Sequence, residues 1–157
     1  MTRRSRPFLP IAGLLLGVSL LVGCGDDDAG DQSNDGTVEV TGASIALPAG
    51  PNTAIYFTIE NAGGDDRLVE ARTEVGSAEL HETSAGDDGL MRMQPIEGVD
   101  IPAGDTVTFQ AGGLHVMVFD VAELEEGDTV PVELVFEEMG TITVDATVTS
   151  YADVAEG

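Results

Sequence analysis

The chain has 157 residues, enough for one compact domain with its own core and short of what two would need. Its 29 acidic residues against 6 basic ones give a formal net charge of −23, and lysine is absent. Such a field repels phosphates and anionic head groups, which argues against nucleic acid as a partner and against charge-driven adhesion to a membrane surface. The ordinary consequence of so acidic a surface is solubility, and the charge by itself identifies no ligand.

In chain order, the first element is a leader. Arg3, Arg4 and Arg6 precede an apolar run from Phe8 to Val22, broken by Pro10, Gly13 and Gly17. That run is short for a membrane span and has the form of a signal peptide over 1–23. It ends in Leu21-Val22-Gly23-Cys24, which resembles the lipobox of bacterial lipoproteins, in which the cysteine becomes the acylated first residue. The competing reading is an uncleaved anchor with an ordinary thiol at Cys24; either way the domain is tethered outside the cytoplasm. Cleavage before Cys24 leaves three arginines against 29 carboxylates, a formal −26.

Residues 24–36 hold the lipidated Cys24 and a run of Gly, Asp, Ala, Gln, Ser and Asn, which cannot bury enough apolar surface to order itself. This reads as a flexible acidic linker. From 37 to 149 the pattern changes to short runs rich in Val, Ile, Thr, Phe and Leu, separated by Gly, Pro, Asn and Asp. Strands are predicted at Val38–Leu47, Thr53–Glu60, Leu68–Arg72, Ser77–Thr83, Leu90–Ile96, Thr106–Gln110, His115–Val121, Thr129–Phe136 and Thr141–Thr149. Turn chemistry separates them at Pro48–Asn52, Asn61–Gly64, Pro102–Asp105, Gly112-Gly113 and Gly127-Asp128. Regularly spaced short strands with almost no helical pattern imply an all-β sandwich or barrel in one domain. The last strand alternates Ile142, Val144, Ala146 and Val148 with polar residues, so one face is packed and one is wet. Residues 150–157 are a C-terminal tail, expected to fray from Ala152 to Gly157.

Two histidines and four methionines follow Cys24, and His81, Met91, Met93, His115 and Met117 fall within 37 positions of one another. Taken singly, a histidine at the edge of a core or a methionine filling it is the default. As a set, imidazoles and thioethers suit copper(I), a soft ion, whereas calcium and magnesium want oxygen cages. His115 and Met117 are two apart in one predicted strand and share a face, as do Met91 and Met93. His81 lies on a further strand, so the fold must bring three segments together. Outside the cell such donors need no reducing pool, unlike thiolates.

The stretch from His81 to Met117 resembles the periplasmic copper chaperone family often called PCuAC. His81 and Glu82, ten residues, Met93, twenty-one residues and then His115-Val116-Met117 reproduce that family's spacing. Glu79–Glu82, Met91–Met93, Ile101–Gly104, Gly112–Met117 and Val132–Glu137 are also similar to family segments, and the likeness covers most of residues 37–149. Glu82 departs from the pattern, standing where the family has an optional methionine. The resemblance implies a cupredoxin-like Greek-key β-sandwich whose His81, Met93, His115 and Met117 hold one copper(I) ion, with Met91 in reserve. It further implies a non-enzymatic carrier that passes copper by ligand exchange towards cytochrome oxidase copper centres, alongside Sco-type thiol proteins. The alternatives are a metal-free sandwich lipoprotein serving as an interaction or scaffold module, a copper storage or resistance protein, and an electron-transfer cupredoxin. The last normally needs a cysteine ligand, and the sole cysteine is Cys24. No nucleophile-and-base set or nucleotide loop is present. With two histidine ligands, copper affinity is expected to weaken below about pH 6.5.

Overall fold

The computed structural model describes residues 37–156. The expected signal peptide, Cys24 and the acidic linker lie outside the described residues. Ten strands occur in the order β1 (Val38–Ala46), β2 (Thr53–Asn61), β3 (Asp66–Thr73), β4 (Ser77–Ala85), β5 (Met91–Pro95), β6 (Val99–Ile101), β7 (Thr106–Phe109), β8 (Leu114–Phe119), β9 (Thr129–Phe136) and β10 (Thr141–Thr149). A short helix, α1 (Tyr151–Glu156), follows. Among the described residues no helix is long and apolar enough to cross a membrane.

The strands join in one continuous ladder, β5-β4-β8-β7-β2-β1-β10-β9-β3-β6, with β8 also pairing directly with β2. Most neighbours are antiparallel; β1 runs parallel to β10, and β7 meets β8 in parallel. Residues from both halves of the ladder belong to one buried cluster, in which Leu80 and Val116 of one half share a core with Leu68, Val132 and Leu134 of the other. The sheet therefore folds over on itself into a cupredoxin-like β-sandwich.

Alternation along the strands makes this core. On β2, Thr53, Ile55, Phe57, Ile59 and Asn61 are buried while Ala54, Tyr56 and Thr58 stand on the other face. Phe57 and Phe109 stack with ring centroids 4.3 Å apart in a core that is otherwise mostly Val, Ile, Leu and Ala, with Phe136 a third buried aromatic. Asp66 is buried at the start of β3, and its carboxylate accepts the backbone N–H groups of Arg67, Glu138 and Met139. It thereby ties the turn between β9 and β10 to β3.

Two features depart from the sequence expectation. β6 is a three-residue strand between Gly98 and Pro102, too short for a period-2 signal, yet Ile101 is fully buried. The tail expected to fray instead forms α1, whose first turn Ser150 caps by accepting the Asp153 N–H on its hydroxyl.

Gly76 leads into β4 and lies hard against β8: a Cβ there would sit 2.5 Å from the Phe119 carbonyl oxygen and 2.7 Å from Val118. The nearest atom is backbone, so a methyl group must push the two strands apart. Gly76→Ala is expected to lower unfolding stability by about 1–3 kcal/mol, measured by denaturant titration. Gly50→Ala, where nothing lies within 4 Å, should change it by less than about 0.5 kcal/mol. Equal stability of the two variants would contradict this packing.

Candidate metal centre

β4 lies between β5 and β8, and its registers decide what meets on the outer face of the sheet. His81 stands directly opposite His115, and Glu79 opposite Met117. On the other side, Thr83 faces Met93 and Ala85 faces Met91. β8 pairs in turn with β2, setting Met117 opposite Ala54. Residues opposite one another share a face, and so do residues two apart in one strand. Met91, Met93, Thr83, His81, Glu79, His115, Met117 and Tyr56 therefore share the outer face, while Leu80, Val116 and Val118 between them enter the core.

The histidine rings lie in tilted contact, centroids 5.8 Å apart. His115 is 3% exposed and His81 7%, unusual burial for imidazoles on an outer face. Aromatic neighbours account for it: Phe119 stands 5.9 Å from His81 and Tyr56 stands 6.5 Å from His115, centroid to centroid. A cavity of about 350 Å³ opens beside the pair, with Met93, His115, Met117, Tyr56, Thr83 and Tyr151 on its wall. His81 adjoins it through the ring contact with His115. Met93 remains 54% exposed and Met91, one step further along the edge strand, 61%. The expected set thus gathers at one end of β4, β5 and β8, with Met91 at its margin.

Each imidazole has one nitrogen engaged and one free. His115 Nδ1 lies 3.0 Å from the Gly113 carbonyl oxygen, and His81 Nε2 lies 3.2 Å from a Glu79 carboxylate oxygen. Among the described residues three buried side-chain polar atoms lack a hydrogen-bond partner; two of them are His81 Nδ1 and His115 Nε2. Burying such an atom without a partner costs on the order of 1–3 kcal/mol, a cost that a bound cation relieves. The donors available are therefore imidazole nitrogen and thioether sulfur, the set that favours a soft monovalent ion. Among the described residues no three His, Cys, Asp or Glu side chains converge as a metal-ligand group.

The turn before β8 fixes His115. Gly112 adopts φ +81°, which a side chain would resist, and the Gly113 carbonyl accepts the Thr83 N–H at 3.0 Å as well as the imidazole. Glu82 pairs with Gln94 and Leu114, one residue out of step with His81, and so stands on the opposite face from the donors. The electrostatics are simple. No charged side chain stands on the cavity wall, and each arginine of the described residues is tied to a carboxylate: Arg67 to Asp100, Arg72 to Glu70 and Arg92 to Asp88. The cavity wall is uncharged, and a carboxylate, that of Glu79, stands beside it at His81.

Three neighbours of the site escape a reading of the sequence. Glu79 is two residues before His81 on a strand, so its shared face was readable and its partnership with the ring was not. Tyr56 needs the β2–β8 pairing to be known, and Tyr151 belongs to the helix that replaces the expected tail.

Fold and face together define a PCuAC-type domain. Similar solved structures include the apo PCuAC domain from PmoF1, with 29% identity, a TM-score of 0.61, and coverage of 72% of this chain and 93% of that one. The copper(I) form of DR1885 from Deinococcus radiodurans has 33% identity and a TM-score of 0.58 over 80% of this chain and 86% of that one. The chain belongs to the family described as "Putative lipoprotein LpqE-like", which its residues 34–148 match. A protein described as "Putative lipoprotein Lxx21020" of Leifsonia xyli subsp. xyli (strain CTCB07) is 28% identical over 153 residues, 93% of this chain and 90% of its own.

Burial lowers the pKa of His115 below its ordinary 6.5; the Gly113 carbonyl pulls in the opposite direction and the neighbouring His81 adds to the lowering. A neutral His115 is thus kept ready as a donor into mildly acidic conditions. In the metal-free chain its NMR titration midpoint is expected below 6.5. Because the folded value lies below the unfolded one, the stability tied to this group is complete above pH 6.5 and lost as pH falls through the folded value. A midpoint at or above 6.5 would contradict the burial argument.

Proposed function

We propose that this protein is an extracytoplasmic copper(I) carrier, held at the membrane by a lipid on Cys24, that binds the ion through His81, Met93, His115 and Met117. The observation that carries the reading is the pair of buried, unpartnered imidazole nitrogens beside a cavity walled by two methionines. The likeness to a copper(I)-loaded structure at 33% identity supports the choice of metal, and the lipoprotein description of its family supports the anchor.

Delivery proceeds by ligand exchange without covalent catalysis. The histidines are buried and sit in a fixed register, while Met93 is more than half exposed. An acceptor approaching over β5 therefore meets a thioether first, replaces it with a stronger donor, and draws the ion from the remaining ligands one bond at a time. Met91, further along the same edge, serves as the reserve thioether. The neutral cavity wall lets a partner come close without burying unpaired charge. The recipients we assign are cytochrome oxidase copper centres, with a Sco-type thiol protein acting alongside.

Competition against a copper(I) chelator tests the ligand set. His81→Ala, His115→Ala, Met93→Leu and Met117→Leu should each weaken binding about tenfold or more, roughly 1.4 kcal/mol per donor. Met139→Leu, at a residue packed against the core away from the set, should bind like wild type. If the wild-type chain fails to compete, or His115→Ala binds unchanged, the domain is a metal-free interaction module instead.

A further inference from the structure

The two histidines are held through different ring nitrogens, by partners that can only accept a hydrogen bond. Glu79 is a carboxylate, so His81 Nε2 must carry the hydrogen of that 3.2 Å contact, which leaves the lone pair of the neutral ring on Nδ1. The Gly113 carbonyl likewise accepts only, so His115 donates from Nδ1 at 3.0 Å and keeps its lone pair on Nε2. The nitrogens that carry lone pairs under this assignment are the same two that are buried without a partner. At each ring, then, the nitrogen left over by the hydrogen bond is also buried away from water.

From this we infer that Glu79 is a positioning residue that selects the His81 tautomer, so that the pair offers a soft ion a mixed set, Nδ1 of His81 and Nε2 of His115. The inference rests on the copper-carrier reading and adds the atom through which each ring binds. Glu79 suits the role by its place in the sheet: it lies two residues before His81 on the same face and directly opposite Met117, so its carboxylate flanks the donors. Accepting the ring hydrogen makes the opposite nitrogen a better donor, and the carboxylate charge opposes that of a monovalent ion. Gly113 does the same for His115 through a backbone atom, which the Thr83 N–H also holds. Only the His81 arrangement is therefore open to removal by a side-chain substitution.

The test has two readouts. Long-range ¹H–¹⁵N spectra of the labelled, metal-free chain report the tautomers directly. Wild type should show the hydrogen on Nε2 of His81 and on Nδ1 of His115. Glu79→Leu should abolish the His81 preference and leave His115 unchanged, while Glu79→Gln, whose amide oxygen still accepts, should preserve both. Chelator competition should then show copper(I) binding about 10–100-fold weaker in Glu79→Leu, with Glu79→Gln recovering most of the loss. Tight copper(I) binding by a wild-type chain whose His81 carries its hydrogen on Nδ1 would overturn the role of Glu79 alone, as would Glu79→Leu leaving tautomer and affinity unchanged. The stated tautomers in a chain with no copper(I) affinity would instead overturn the carrier reading, and with it the donor role of the free nitrogens.

Discussion

The antiparallel register of β4 on β8 is the constraint from which the rest follows. With His81 opposite His115, two histidines 34 positions apart in sequence are held in ring contact by the backbone ladder itself. A slip of one residue would turn either ring into the core and bring Leu80 or Val116 out to the surface. The hydrophobic burial of those two residues thus keeps both histidines on the outer face as well as holding the fold. Gly76, pressed against the Phe119 carbonyl, seats the start of β4 on the end of β8, and the Gly113 carbonyl closes the other end through Thr83.

The outer face built on this register is graded in accessibility. The imidazoles are nearly sealed by Phe119 and Tyr56, while the methionines of β5 lie open on an edge strand. In the proposed ligand set, buried imidazoles and a half-buried Met117 stand beside an open Met93, an arrangement that suits both retaining an ion and surrendering it. A sealed cage would hold too long, and four exposed side chains would pay the full entropy of being ordered around the ion. The cavity wall itself carries no charged side chain on a strongly acidic molecule, and Glu79 brings a carboxylate to its border at His81.

Much of this was legible in the sequence, for reasons that differ from residue to residue. All nine expected strands match observed ones to within about two residues at either end, because Val- and Ile-rich runs between Gly, Pro and Asn turns leave few other solutions; the strand expected from His115 begins at Leu114 and ends at Phe119 rather than Val121. β6 was not, since three residues carry no period, and α1 was not, since its six residues offer too little pattern to set against a fraying tail. That His115 and Met117 share a face is a property of any strand. That His81 joins them depends on a pairing between strands distant in the chain, which local pattern does not encode; the likeness in spacing to a known family supplied it. Tyr56 and Tyr151 bear on the site only through tertiary placement, whereas Glu79 shares the face of His81 by its place two residues earlier on the strand, and only its contact with the ring needed the structure.

The central claim is that two nitrogens and two sulfurs, brought together by this register, share one copper(I) ion. X-ray absorption of the chain loaded with one equivalent of copper(I) tests it most directly. The predicted spectrum needs both a nitrogen shell and a sulfur shell around a single copper environment, with the sulfur contribution reduced when Met93 and Met117 are both changed to leucine. A spectrum fitted by nitrogen and oxygen alone, or one indifferent to the loss of both methionines, would contradict it.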